Sequence, residues 1–227
     1  MIGKKKKLSK KEFQEDQLVT SFYKSQDFFQ KNQQKLLIGA GVIALLILAI
    51  FWYNSKKEDD SIQAANQLAK IIPVYDQGQF QKAIDGEAGT DLVGLASIVD
   101  NYGSTQQGEI AKIYLANSYF SLGKFEKALS TYSDYGGKSK LHLSSSLAGQ
   151  AACYEQLGKF DKAADYYQKA AKVNAIESQE AEYLLNAGRN YVKSNSADKA
   201  KDIFETIKNE FKNTNAAREV DKYLSQL

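Results

Sequence analysis

The sequence predicts an all-α protein: one N-terminal transmembrane helix followed by a solenoid of helical hairpins. Residues 36–53, LLIGAGVIALLILAIFWY, run without a charge, a proline or an amide side chain. Further on, three seventeen-residue segments align without a gap at spacings of 35 and 37 residues. No stretch alternates polar and apolar residues long enough to argue for a sheet.

The apolar run comes first. At about 1.5 Å rise per residue it covers roughly 27 Å as a helix, close to the roughly 30 Å hydrocarbon core of a bilayer. Phe51, Trp52 and Tyr53 close it where aromatic rings favour the water interface, and Phe28 and Phe29 can do the same on the other side. A buried helix of a soluble core keeps one polar face, and this one has none. A cleaved signal peptide has an apolar region of about 7–15 residues near the terminus and a small-x-small exit. Here the run starts at residue 36 and leaves through Phe51-Trp52-Tyr53-Asn54-Ser55-Lys56, which predicts an uncleaved anchor.

Charge sets the expected orientation. Residues 1–35 hold nine Lys and four acids, whereas the chain from Asn54 onward holds 21 Lys plus Arg against 23 Asp plus Glu. Lysine excess on a short flank stays in the cytoplasm, so the N-terminus is expected inside and the large C-terminal part outside. Close to the span the lysines balance (Lys24, Lys31 and Lys35 against Lys56, Lys57 and Lys70), so the orientation rests on Lys4–Lys7, Lys10 and Lys11. A single cysteine excludes an internal disulfide.

In chain order, residues 1–12 read as a solvated basic tail attracted to anionic lipid. Lacking arginine and interleaved aromatics, the tail argues against nucleic-acid binding. Phe13, Leu18, Phe22 and Phe29 recur at near-helical spacing, predicting an amphipathic helix over Phe13–Gln34 that lies in the headgroup plane or docks a partner before turning into the span. Ala40 and Ala44 form a small-xxx-small pair inside the span. Asn54–Ser61 is a polar collar, and Ile62, Ala65, Leu68, Ala69 and Ile72 predict a helix that Pro73 should end or kink. Gly86, Gly89 and Gly94 mark looser connections ahead of a short helix over Leu95–Tyr102. The expected layout is a cytoplasmic tail with amphipathic helix (1–35), a span (36–53) and a repeat domain (54–227).

The repeats read ANSYFSLGKFEKALSTY from Ala116, AACYEQLGKFDKAADYY from Ala151 and GRNYVKSNSADKAKDIF from Gly188. In each, a small residue (Ala116, Ala151, Gly188) precedes a tyrosine by three (Tyr119, Tyr154, Tyr191). A turn follows (Gly123, Gly158, Asn195), then a small residue (Ala128, Ala163, Ala200) and an aromatic four later (Tyr132, Tyr167, Phe204). This is the spacing of an antiparallel helical hairpin. Small residues admit close approach, aromatics fill the gap and the turn residue takes the left-handed conformation. One hairpin cannot bury its apolar face, so several stack. These residues resemble tetratricopeptide repeats, whose period is about 34. A weaker copy at Tyr75–Ala83 keeps Gly78, Phe80 and Ala83 but has Glu87 where the later aromatic belongs. Asn215–Leu227 predicts a terminal capping helix with Arg218, Glu219, Asp221, Lys222 and Gln226 on its polar face.

The sequence offers no catalytic set. His142 is the only histidine and Cys153 the only cysteine, so neither a Cys/His metal cluster nor a paired nucleophile and base can be assembled. His142 is expected in an inter-repeat connection and Cys153 as a packed small hydrophobe. Gly137-Lys138-Ser139 matches the tail of a phosphate loop, but Tyr132 replaces its earlier glycine and no strand leads in. No cofactor, metal or small-molecule substrate is expected.

What remains is a protein-binding surface. The first helix of each hairpin lines the concave side of such a stack. By period, Ile113, Asn117 and Phe120 face inward in one repeat, Ala148, Ala152 and Glu155 in the next, and Leu185, Arg189 and Val192 in the third. Tetratricopeptide domains that clamp a chaperone's terminal carboxylate use Lys, Arg and Asn here. Asn117 fits, whereas Ile113, Gly149 and Glu182 do not, which disfavours that partner class.

The whole layout resembles the ancillary Sec-translocon subunit family of bacterial inner membranes. That resemblance implies a non-catalytic scaffold linking protein export to periplasmic chaperones, with translocon subunits, periplasmic chaperones or exported clients as partners. The alternative is an envelope-assembly or cell-division coordinator that uses the same domain without the translocon.

Overall fold

The computed structural model describes residues 10–173 and 176–227, with side chains from Val19 onward. The Lys4–Lys7 cluster lies outside the described residues, as do the side chains of Lys10, Lys11, Phe13 and Leu18. The chain divides after Lys56 into two compact units.

A single helix, α1, runs Lys10–Asp76. The amphipathic segment, the apolar run, the polar collar and the helix before Pro73 are thus one element. The expected turn ahead of the span is absent, because nothing between Phe13 and Leu36 is a proline or glycine that would break the hydrogen-bond ladder. Pro73 falls in the last turn, and the helix ends three residues beyond it, at Asp76. Within the first unit, the apolar run has no protein packed on it. Leu37, Ile38, Leu45 and Leu48 are each more than 60% exposed, and the most apolar window of the helix has a mean hydropathy of 2.6. This helix is long and apolar enough to cross a membrane.

The second unit begins with the remainder of α1, whose Ala64, Leu68 and Ile71 form a buried stripe at helical spacing. They share a core with Ala83 and Ile84 of α2 (Phe80–Asp85), Leu95 and Ile98 of α3 (Leu95–Tyr102), and Ala111 and Leu115 of α4 (Gln106–Ser121). Hairpin follows hairpin after that: α4 with α5 (Phe125–Ser133), α6 (Lys140–Gln156) with α7 (Phe160–Val173), and α8 (Glu177–Lys193) with α9 (Ala197–Glu210). The last element, α10 (Asn215–Leu224), packs on α8 and α9. Among the described residues no strand forms.

Each hairpin turns in the same way. Gly78, Gly123, Gly158 and Asn195 take φ of 74, 71, 71 and 59°. The next amide reaches back five residues (Gln79 to Val74, Lys124 to Tyr119, Lys159 to Tyr154, Ser196 to Tyr191) at 2.8–3.2 Å. This is the Schellman closure of a helix C-terminus. It serves the weak first repeat as well as the three clear ones. Glu87, in the aromatic's place, is exposed and pairs with Lys82 at 3.0 Å, while Leu95 and Ile98 of the inserted α3 fill the core instead.

The inter-helix contacts follow the repeat. Ala128, Ala163 and Ala200 are fully buried, and Tyr132, Tyr167 and Phe204 are buried beside them. Tyr119, Tyr154 and Tyr191 each carry a lysine ammonium over the ring from eight residues on: Lys127 at 5.8 Å, Lys162 at 5.6 Å and Lys199 at 5.1 Å. Each such contact contributes about 0.5–1 kcal/mol at an exposed site.

One expectation fails outright. Gly86 and Gly94 are not loose connectors. Residues 86 and 93 form an isolated antiparallel bridge, and a Cβ on either glycine would meet backbone atoms at 2.3–2.5 Å. The chain crosses itself there too closely for any side chain.

Candidate protein-binding surface

The first helices of the three clear hairpins are α4, α6 and α8; α4 packs on α6, and each packs on its hairpin partner. On α4, Ile113, Asn117 and Phe120 are half-buried. Phe120 meets Phe125 edge-on at 5.3 Å. Asn117 accepts a hydrogen bond from the Tyr132 hydroxyl, and its side chain also bonds the Tyr75 hydroxyl. Burial pushes both phenols up, with the Asn117 bond acting the other way on Tyr75.

On α6, Ala148, Ala152 and Glu155 are half-buried. Next to them Gly149 lies flat against the Tyr132 ring, where a Cβ would come within 2.3 Å. Gly149 is therefore what lets Tyr132 reach through to Asn117. Glu155 accepts from Asn190 Nδ2 at 3.1 Å and from Lys193 Nζ at 2.6 Å, tying α6 to α8.

On α8 the expectation needs correcting. Leu185 is fully buried, in one cluster with Ala181, Ala216 and Val220, because α10 covers the position. It presents nothing to a partner. Arg189 is committed as well. Its guanidinium donates to the Tyr223 hydroxyl at 2.8 Å and to Glu219 at 2.5 Å, and it lies over the Tyr223 ring at 5.2 Å. Only Val192 stands exposed, at 38%.

The open part of the face is thus the α4–α6 stretch, lined by Ile113, Phe120, Ala148 and Ala152, all uncharged. One residue belongs to it that the periodic reading missed. Tyr75 packs edge-on against Tyr114 at 5.0 Å and Phe80 at 5.4 Å. Tyr75 precedes Gly78 by three, as Phe120 precedes Gly123, so extending the repeat register to the weak first copy finds it. Asn117, engaged with two tyrosines, is not a free amide for a terminal carboxylate.

The remaining reactive groups sit elsewhere. Cys153 is buried, and burial, aided by the charge of Glu126, pushes its thiol up to about 12. The thiolate that would act as a nucleophile is therefore scarce at neutral pH. His142 lies in the first turn of α6 rather than in the connection before it, edge-on to Tyr135 at 6.5 Å. Ser139 of the Gly-Lys-Ser run is simply the N-cap of α6.

The tetratricopeptide repeat family model matches residues 109–176, which spans α4 to the end of α7. The chain carries a tetratricopeptide repeat region, and such regions generally bind proteins. The third hairpin and the weak first one share the turn geometry outside the matched segment. No curated protein matches the chain.

Proposed function

We propose that this protein is a membrane-anchored, non-catalytic scaffold that receives a polypeptide segment on the α4–α6 face. The observation that carries the reading is the contrast in side-chain commitment along the repeat face. Ile113, Phe120, Ala148 and Ala152 are uncharged and half-exposed, while Glu155 and Arg189 are spent on their own neighbours. Small residues on α6 leave depth, and aromatics on α4 and at Tyr75 supply a contact surface with few rotamers to freeze. The layout of basic tail, span and repeat domain supports an ancillary role at the export translocon, with the repeats in the periplasm handing clients to chaperones.

The test is purification of the full-length protein in mild detergent and identification of what co-purifies, for the wild type and for Ala148→Arg with Ala152→Arg. Recovery of translocon subunits together with chaperones or exported clients, and loss of the latter in the variant, supports the reading. Envelope-assembly proteins without translocon subunits would replace it with the coordinator alternative. An unchanged partner set in the variant would remove the α4–α6 face from binding.

A further inference from the structure

A second surface lies at the end of the hairpins where α5 hands over to α6. A cavity of about 530 Å³ opens there, lined by Lys57 of α1, Lys138 of the connection and His142 of α6, with Thr105, Tyr135 and Glu109 on its walls. Its one carboxylate is already satisfied: Glu109 accepts from Lys112 Nζ at 2.9 Å and from the Gly136 amide at 2.8 Å. Lys57 and Lys138 form no ion pair among the described residues. Among the described residues the cavity is thus cationic, with two ammonium groups that no ion pair engages.

Chain length bounds how far this cavity can be from a bilayer. Lys57 follows Tyr53, the last residue of the apolar run, by four positions. Four residues rise about 6 Å as helix and reach at most about 14 Å fully extended. If residues 36–53 span the membrane, Lys57 stands in or just above the headgroup layer, which is roughly 5–7 Å deep on each side.

We infer that the cavity docks an anionic phospholipid headgroup from the leaflet on the domain's side, with Lys57 and Lys138 as its phosphate partners. The inference rests on the span reading given above. A lipid phosphate is favoured over an acidic peptide because the anchor keeps lipid permanently within reach of Lys57, whereas a peptide would have to arrive from solution. The site adds a second attachment to the membrane, independent of the apolar run.

The experiment places the full-length protein in nanodiscs of phosphatidylcholine alone or of phosphatidylcholine with an equal share of phosphatidylglycerol, and follows amide hydrogen exchange over residues 135–142. Exchange is expected to slow roughly thirtyfold in the anionic discs, about what two lysines near an anionic surface supply. The pair Lys57→Glu and Lys138→Glu should abolish the difference, and the milder Lys57→Gln and Lys138→Gln should give the same loss should the first pair misfold. Lys159→Glu, at the opposite end of α6, should keep it. Equal exchange in both lipids with the protein inserted overturns this inference alone. Failure to insert in either disc overturns it together with the span. Protection by soluble polyglutamate in phosphatidylcholine discs, matching that by phosphatidylglycerol, replaces the lipid with an acidic protein.

Discussion

Equivalent positions on α4 and α8 meet opposite fates. Ile113 and Leu185 occupy the same place in their repeats, yet one is half-exposed and the other fully buried. Asn117 and Arg189 are likewise equivalent; the first holds Tyr132 and Tyr75 within the repeat face, while the second fastens α10 to α8. The cause is the neighbour. After α4 comes α6, which offers Ala148, Gly149 and Ala152; beside α8 lies α10, which offers Val220 and Tyr223. Repeat register decides the direction in which a side chain points, and the size of the next helix's side chains decides whether that direction is surface or core.

The sharpest way to break this comparison is to truncate both equivalents. Leu185→Ala is expected to cost about 2–5 kcal/mol in chemical denaturation of the detergent-solubilised protein, since it empties a closed core. Ile113→Ala should cost well under half of that and instead weaken partner recovery. Equal losses would mean that α10 does not define the end of the core.

Gly149→Val comes next. The added methyls collide with the Tyr132 ring, and the expected destabilisation is about 1–3 kcal/mol. It should be accompanied by loss of the Tyr132–Asn117 bond, visible as a changed tyrosine fluorescence. A smaller effect is expected for Arg189→Met, because the Arg189–Glu219 pair is partly solvated: about 1 kcal/mol or less. Hydrogen exchange should accelerate in α10 while α4 and α6 stay as they were. If exchange rises throughout the repeats, the cap is integral to the stack rather than an addition to it.

The last effect shows itself only at alkaline pH. Burial, then the charge of Glu155, pushes the Tyr167 phenol up to about 12. An unfolded phenol ionises near 10, so between about pH 10 and pH 12 the unfolded chain holds fewer protons and stability falls as pH rises. Below pH 10 the contribution is flat. An alkaline titration should therefore show tyrosine ionisation lagging in the folded state and arriving together with loss of helix. Tyr167→Phe should shift that loss to higher pH.

The turns were legible in the sequence because left-handed backbone is nearly the preserve of Gly and Asn, and Gly78, Gly123, Gly158 and Asn195 recur in register. The boundaries of α3 were legible for the same kind of reason, a short apolar run between glycines. Burial of Leu185 was not, since it depends on which residues of α10 land on it. Commitment of Glu155 to Lys193 was hidden too, because the partners are 38 positions apart and their pairing requires the stack to be formed. Gly86 and Gly94 misled because a glycine that permits a sharp turn and one that permits a backbone crossing look alike in sequence.

Each helix of the repeat region packs chiefly on the ones just before and after it: α4 on α5, α5 on α6, α6 on α7, α7 on α8, α8 on α9. Contacts this local in sequence make for low contact order, and a chain built so can assemble progressively as it leaves a ribosome or a channel, each hairpin templating the next. The exception is the last step. Until α10 arrives, Ala181 and Leu185 lie uncovered, so a nascent chain halted before Asn215 displays an apolar strip that the finished protein conceals. Docking of α10 is thus the step that takes this strip out of water.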